Sequence, residues 1–208
     1  EGLDLAFRAL LNPGDSIAIA QPCYVSYVPG ATFAGIDVID VPTRAADEFK
    51  LTREVLESSG AADADALVYC YPNNPTGATM TAEEMASVAA FCRENDLLVF
   101  ADEIYADLTY EHDHTSIATL PGMRERTVVF NGFSKAFAMT GFRLGYAMAP
   151  PEAIEAMNRI HQYSMLSAPT TAQHAAIEAL DNCRDEVTDM AAQYDRRRKY
   201  VLTRFEEM

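Results

Sequence analysis

Asn131-Gly-Phe-Ser-Lys135-Ala-Phe-Ala-Met-Thr-Gly-Phe-Arg143 carries a lysine and, eight residues later, an arginine. The apolar run Thr127-Val-Val-Phe130 precedes it, and Leu144-Gly-Tyr-Ala-Met148 follows. This pattern predicts a strand that delivers Lys135 to a sheet edge, an irregular turn, and a second strand opening at Arg143. The chain has only three lysines, at 50, 135 and 199. Lys135 is either a solvated loop lysine, the default for an isolated one, or an amine that forms a Schiff base with a carbonyl cofactor. The second reading needs a dry pocket that favours the neutral amine, with a phosphate site, a carboxylate for a ring nitrogen and a stacking aromatic supplied by the rest of the chain.

The 208 residues are 49% apolar, enough for a buried core. No apolar run reaches the length of a membrane span, and no secretory pattern opens the chain. It begins at Glu1 inside a helical pattern, so an upstream part is expected. The four cysteines, at 23, 70, 92 and 183, are scattered. They form no metal-ligand pattern, so no metal site is expected. They read as small core residues in a reducing, cytoplasmic setting. A formal charge of -15 argues against nucleic acid or an anionic membrane as partner. The basic run Arg196-Arg-Arg-Lys199 reads as a solvated helix face. The acid excess and lysine scarcity suit a salt-adapted host.

Helical spacing covers residues 1–11 and is broken by Asn12-Pro-Gly-Asp15. Strands are expected at 16–20, 36–41, 66–71, 97–101, 127–130 and 143–148. A two-tyrosine loop follows the first, at 21–30. A short helix is expected at 51–58. Thr81-Ala-Glu-Glu84 is a capping box that starts a helix running to about Asn95. Pro151 and Pro169-Thr170 open two more helices, and a long one fills the tail from Cys183. Strands alternating with helices give an α/β fold, a mostly parallel sheet with helices on both faces. Ligands in such sheets sit beyond the carboxyl ends of strands. Tyr24, Asn74, Asp102 with Tyr105, and Lys135 all fall at such ends.

In one pocket these residues form a chemical set. A lysine holds an aldehyde, an aromatic stacks on a flat ring, and a carboxylate pairs with a protonated ring nitrogen. A phenol and an amide donate to a ring oxygen, and an arginine clamps a phosphate. Pyridoxal phosphate needs these partners. Tyr71-Pro-Asn-Asn-Pro-Thr-Gly77, Asp102-Glu-Ile-Tyr105, and Ser134-Lys135 with Gly141-Phe-Arg143, in this order and spacing, resemble the large domain of a class I/II aminotransferase, of the fold type shared with aspartate aminotransferase. The resemblance covers nearly the whole chain.

That resemblance implies pyridoxal 5'-phosphate as cofactor and a role for each matching residue. Lys135 is the Schiff-base and proton-transfer lysine. Asp102 partners the pyridine nitrogen. Tyr105 and Asn74 donate to the ring oxygen, Arg143 clamps the phosphate, and Tyr24 stacks on the ring. Structural alternatives stand beside these: Asp102 as a helix N-cap, Asn74 as a turn former, Arg143 as a surface ion pair, and Tyr24 or Tyr27 as core aromatics. The core reading is preferred for Tyr27. The four histidines show no partner pattern and read as surface or core residues.

Many members of the family carry a serine three residues before the lysine, where this chain has Gly132; Ser134 is the substitute at hand. The resemblance further implies that residues 1–208 are a large domain lacking the N-terminal arm, the first strand and the C-terminal small domain. It implies one antiparallel strand among six, a ping-pong exchange between an amino acid and a 2-oxo acid, and a homodimer. Two alternatives accompany it: a carbon–sulfur lyase of the same fold, and a non-catalytic aminotransferase-like sensing domain of a regulator.

Overall fold

Side-chain parity along the strands builds this molecule. The computed structural model describes residues 1–208. Its sheet has six strands: β1 Ser16–Gln21, β2 Asp37–Pro42, β3 Ala66–Cys70, β4 Leu98–Asp102, β5 Thr127–Gly132 and β6 Gly145–Met148. Their spatial order is β2-β1-β3-β4-β5-β6. All neighbours are parallel except β5 and β6, which run antiparallel with Gly132 opposite Gly145.

The seven α-helices are α1 Gly2–Leu10, α2 Tyr27–Ala34, α3 Arg53–Ser58, α4 Ala82–Glu94, α5 Pro151–Ser164, α6 Thr170–Asn182 and α7 Arg184–Glu206. Successive strand residues point to opposite faces. Ile17, Ile19, Val68, Phe100, Val128 and Phe130 therefore pack with Phe7 of α1, Ala31 of α2 and Met157 of α5. Their neighbours Ala18, Ala20, Leu67, Tyr69, Val99 and Val129 pack on the other face with Leu56 of α3 and Val88 of α4. Both faces of the central strands are thus covered, which is why β1 and β3 read as unbroken apolar runs.

The capping box at α4 is present. Thr81 Oγ1 accepts from the Glu84 N–H at 3.3 Å and Glu84 Oε2 accepts from the Thr81 N–H at 2.9 Å. A cap of this kind contributes about 1 kcal/mol.

Two expectations change. The segment 21–30 is not all loop, because α2 begins at Tyr27 and includes Pro29 and Gly30 in its first turns. Proline is tolerated there since the first N–H groups of a helix have no intrahelical partner. The last strand opens at Gly145 and not at Arg143. Arg143 has left-handed backbone (φ 53°, ψ 48°) at the end of a 3₁₀ turn, a conformation that no strand residue adopts.

The sheet order places a switch point between β1 and β3. From β1 the chain turns outward to β2, and from β3 it proceeds to β4 on the opposite side. The loops after β1 and β3 thus diverge and leave a crevice at the carboxyl ends of the strands.

Candidate active site

The crevice is built mainly by the loops that leave β1, β3, β4 and β5. Cys70, Asp102 and Phe130 are register partners across β3, β4 and β5 and share the face covered by α1 and α2. Parity therefore sends the Asp102 carboxylate toward α2, where Tyr27 waits. The Tyr27 hydroxyl donates to Asp102 Oδ2 at 2.6 Å, and the Ile104 N–H donates to Oδ1 at 3.2 Å. Burial raises the Asp102 carboxyl above the usual carboxylate range, against the opposing pull of these two donors and of Lys135.

Tyr27 is the residue that sequence reasoning undervalued. Its ring is in the core, as expected, yet its hydroxyl holds the candidate ring-nitrogen partner. It also packs edge-on against Tyr24, with ring centroids 5.6 Å apart. The signal was present in the Tyr24-x-x-Tyr27 spacing, but Pro29-Gly30 hid the helix that gives this spacing its meaning. Tyr24 is 42% exposed, with its ring at the mouth of the β1 loop.

After β3 the two asparagines divide the work. Asn73 is buried and ties the turn: its N–H donates to the Ala78 carbonyl, and its Oδ1 accepts from Thr76 N–H and Thr76 Oγ1 at 3.1 and 2.8 Å. Gly77 closes the turn at φ +74°, where a side chain would strain the backbone. Asn74 is left half-buried, on the wall of a cavity of about 390 Å³ that it shares with Tyr105, Thr79, Tyr110, Glu111 and Arg198.

Beyond β5 the chain makes the expected irregular turn. Ala138 adopts φ 53°, and the Met139 N–H returns to the Phe133 carbonyl at 3.0 Å. Lys135 and Ser134 lie half-buried in this turn. Lys50 pairs with Glu48 and Glu84, and Lys199 with Asp195. Lys135 is the one lysine without a carboxylate at ion-pair distance. Its Nζ sits 5.5 Å from the centre of the Tyr105 ring, and Tyr105 in turn lines the same cavity as Asn74. Arg143 is exposed, and its guanidinium donates to the Thr140 carbonyl at 2.6 Å. It is a loop residue with no ion pair, contrary to the surface-pair alternative.

The histidine and arginine readings also need correction. Glu103, buried behind Asp102, accepts from Ser116 Oγ at 2.8 Å and the Ile117 N–H at 3.3 Å, and His114 Nε2 lies 3.1 Å from it. His112 Nε2 lies 3.1 Å from Thr79 Oγ1, and His161 Nδ1 2.8 Å from Glu1 Oε1. Three of the four histidines therefore have partners set by tertiary packing. Arg198 is not simply part of a solvated face. It bonds Asp195 and Glu111 and stacks over Tyr110 at 5.4 Å, which ties α7 to the loop after Tyr105.

An amine, a carboxylate that accepts from a buried phenol, a second phenol, an amide and an exposed guanidinium are the groups this end of the sheet offers to a ligand.

Comparison with known proteins points the same way. The family model described as aminotransferase class I and II matches residues 1–208. The putative aminotransferase YugH of Bacillus subtilis is 46% identical over the whole chain, which covers 54% of that protein. The aspartate aminotransferase of Pyrococcus abyssi is 40% identical over 98% of this chain and 53% of its own length. The crystal structure of an aromatic aminotransferase from Pyrococcus horikoshii superposes with a TM-score of 0.95 at 41% identity, covering 99% of this chain and 56% of that one. The chain spans about half the length of the curated relatives it matches.

Proposed function

The chain belongs to the class I and II aminotransferase family, and from that premise we propose that the protein is a pyridoxal-phosphate-dependent aminotransferase, moving an amino group from an amino acid to a 2-oxo acid. One observation carries the reading: Lys135 stands without a carboxylate partner beside Tyr105, in the same crevice as an Asp102 that a buried phenol holds in place. The donor set matches the cofactor group by group, so the residues fit it.

When bound, pyridoxal phosphate supplies an aldehyde that condenses with amines and a protonated ring that accepts electrons. Lys135 would provide the amine for that aldehyde, and its Nζ would serve as the base and acid that carries a proton between carbon atoms. The Asp102 carboxylate would hold the proton on the ring nitrogen. Tyr105 and Asn74 would donate to the ring oxygen. The Arg143 guanidinium and the Ser134 hydroxyl would hold the phosphate. Tyr24 would stack on the ring and exclude water from one side.

The test is a turnover assay of the full-length protein with pyridoxal phosphate and a panel of amino acids. Amino transfer that requires a 2-oxo acid acceptor, with parallel-line ping-pong kinetics, is expected. Release of ammonia and 2-oxo acid without acceptor would replace this reading with the carbon–sulfur lyase. A protein that takes up no cofactor would end both.

The proposal extends to a cytoplasmic homodimer. Four unpaired cysteines suit a reducing compartment. No helix is long and apolar enough to cross a membrane. Tyr163, Met165, Leu166, Ile177 and Leu180 stand exposed on and between α5 and α6, more apolar surface than isolated side chains account for. Light scattering of the full-length protein is expected to give twice the chain mass, and a monomer at micromolar concentration would refute the assembly.

A further inference from the structure

We propose that Tyr27 is a positioning residue, whose hydroxyl keeps the Asp102 carboxylate charged and fixed in one orientation at the crevice. The inference rests on the aminotransferase reading and adds to it a residue that touches neither substrate nor the reacting atoms. The geometry carries it. The 2.6 Å separation of Tyr27 Oη from Asp102 Oδ2 lies in the range of hydrogen bonds from a hydroxyl to an ionised carboxylate, shorter than the usual neutral pair. Tyr27 is 1% exposed, so its phenol has no water to turn to. It occupies the first turn of α2, and α2 packs with α1 on the sheet, so the hydroxyl cannot swing away without opening that layer.

The other groups around Asp102 leave this role to Tyr27. The Cys70 thiol, its register neighbour on β3, is pushed up to about 12 by burial and remains neutral. Glu103 adds a repelling charge, and its oxygens are engaged by Ser116, His114 and the Ile117 N–H. Lys135 favours the charged carboxylate from across the crevice. Only Tyr27 and the Ile104 N–H donate to Asp102 directly. Of these, the hydroxyl alone can be deleted by substitution. A carboxylate with fewer donors becomes more basic. The proton shared between Asp102 and a ring nitrogen would then move toward the carboxylate, and the ring would lose its electron-accepting form.

Tyr27→Phe separates this role from packing, since phenylalanine keeps the ring that supports Tyr24 and lacks only the hydroxyl. Two readouts apply to the full-length protein. Without cofactor, the ¹³C-labelled carboxyl of Asp102, assigned by its loss in Asp102→Asn, should titrate at higher pH in Tyr27→Phe than in the native protein. With ¹⁵N-labelled pyridoxal phosphate, the ring nitrogen should resonate as a pyridinium in the native protein and shift toward neutral pyridine in the variant. An unchanged carboxyl titration, or an unchanged nitrogen resonance, would overturn the proposal and leave Tyr27 a core residue. A native protein that takes up no labelled cofactor would instead remove the aminotransferase reading, and this inference with it. If Tyr27→Phe does not fold, 3-fluorotyrosine at position 27 keeps the ring and makes the hydroxyl a stronger donor: an Asp102 carboxyl that titrates at lower pH supports the role, and an unchanged titration overturns it.

Discussion

Lys135→Ala is expected to abolish the covalent, borohydride-trapped adduct with pyridoxal phosphate and to reduce amino transfer by about 10²–10⁴-fold or more, the contribution of positioned proton transfer alone. The fold should hardly change. Lys135 is half-buried in an irregular turn and makes no ion pair; its Nζ lies 5.5 Å from the centre of the Tyr105 ring. Away from packing and paired charges, a truncation costs within about 0.5 kcal/mol. The informative result is therefore the combination: an unchanged melting temperature, no adduct, and partial recovery of turnover by an added small amine, which can supply the base but not the tether. An adduct that persists in Lys135→Ala would place the chemistry on another amine. Lys50 and Lys199 are poor substitutes, since both are already paired with carboxylates.

Local pattern was enough to reveal most of the frame. The apolar runs at 16–20, 66–71 and 97–101 are read directly from sequence as strands, and the strand period then sorts their side chains onto the two core faces. Thr81 and Glu84 announce α4 because capping is a contact between residues three apart. The failures share a physical cause. Arg143 looked like the first residue of a strand because apolar residues flank it, but the left-handed turn that holds it is imposed by the lysine loop and β6 together. Pro29 and Gly30 argued for loop by propensity, yet α2 forms because Tyr27 and Ala31 are buried against α1 and the sheet. Tyr27, Arg198 and His114 each act through a partner between 11 and 87 residues away. A single sequence without the fold cannot align such pairs. Asp102 at the end of β4, and Asn74 and Lys135 in the loops just beyond β3 and β5, by contrast, fall where a parallel sheet leaves a crevice by its topology alone.

Gly132→Ser is expected to destabilise the protein by about 3 kcal/mol, the upper end of what overpacking costs. A Cβ at this position would lie 2.8 Å from the Gly145 Cα and 3.0 Å from the Leu144 carbonyl oxygen. Both obstacles are backbone, so no side-chain rotation relieves them. The pairing is mutual, since a Cβ on Gly145 would meet the Asn131 carbonyl oxygen at 3.0 Å. Gly132→Ala should therefore cost as much as Gly132→Ser in a denaturant titration. A serine that is tolerated while alanine is not would show that the hydroxyl, and not the space, decides. The two glycines let β5 and β6 close tightly just before the turn that carries Ser134 and Lys135 and just after the one that carries Arg143. A serine three residues before the lysine would push these strands apart between the turn that carries Lys135 and the one that carries Arg143. With that position closed to any side chain, the hydroxyl nearest to Lys135 in sequence is that of Ser134.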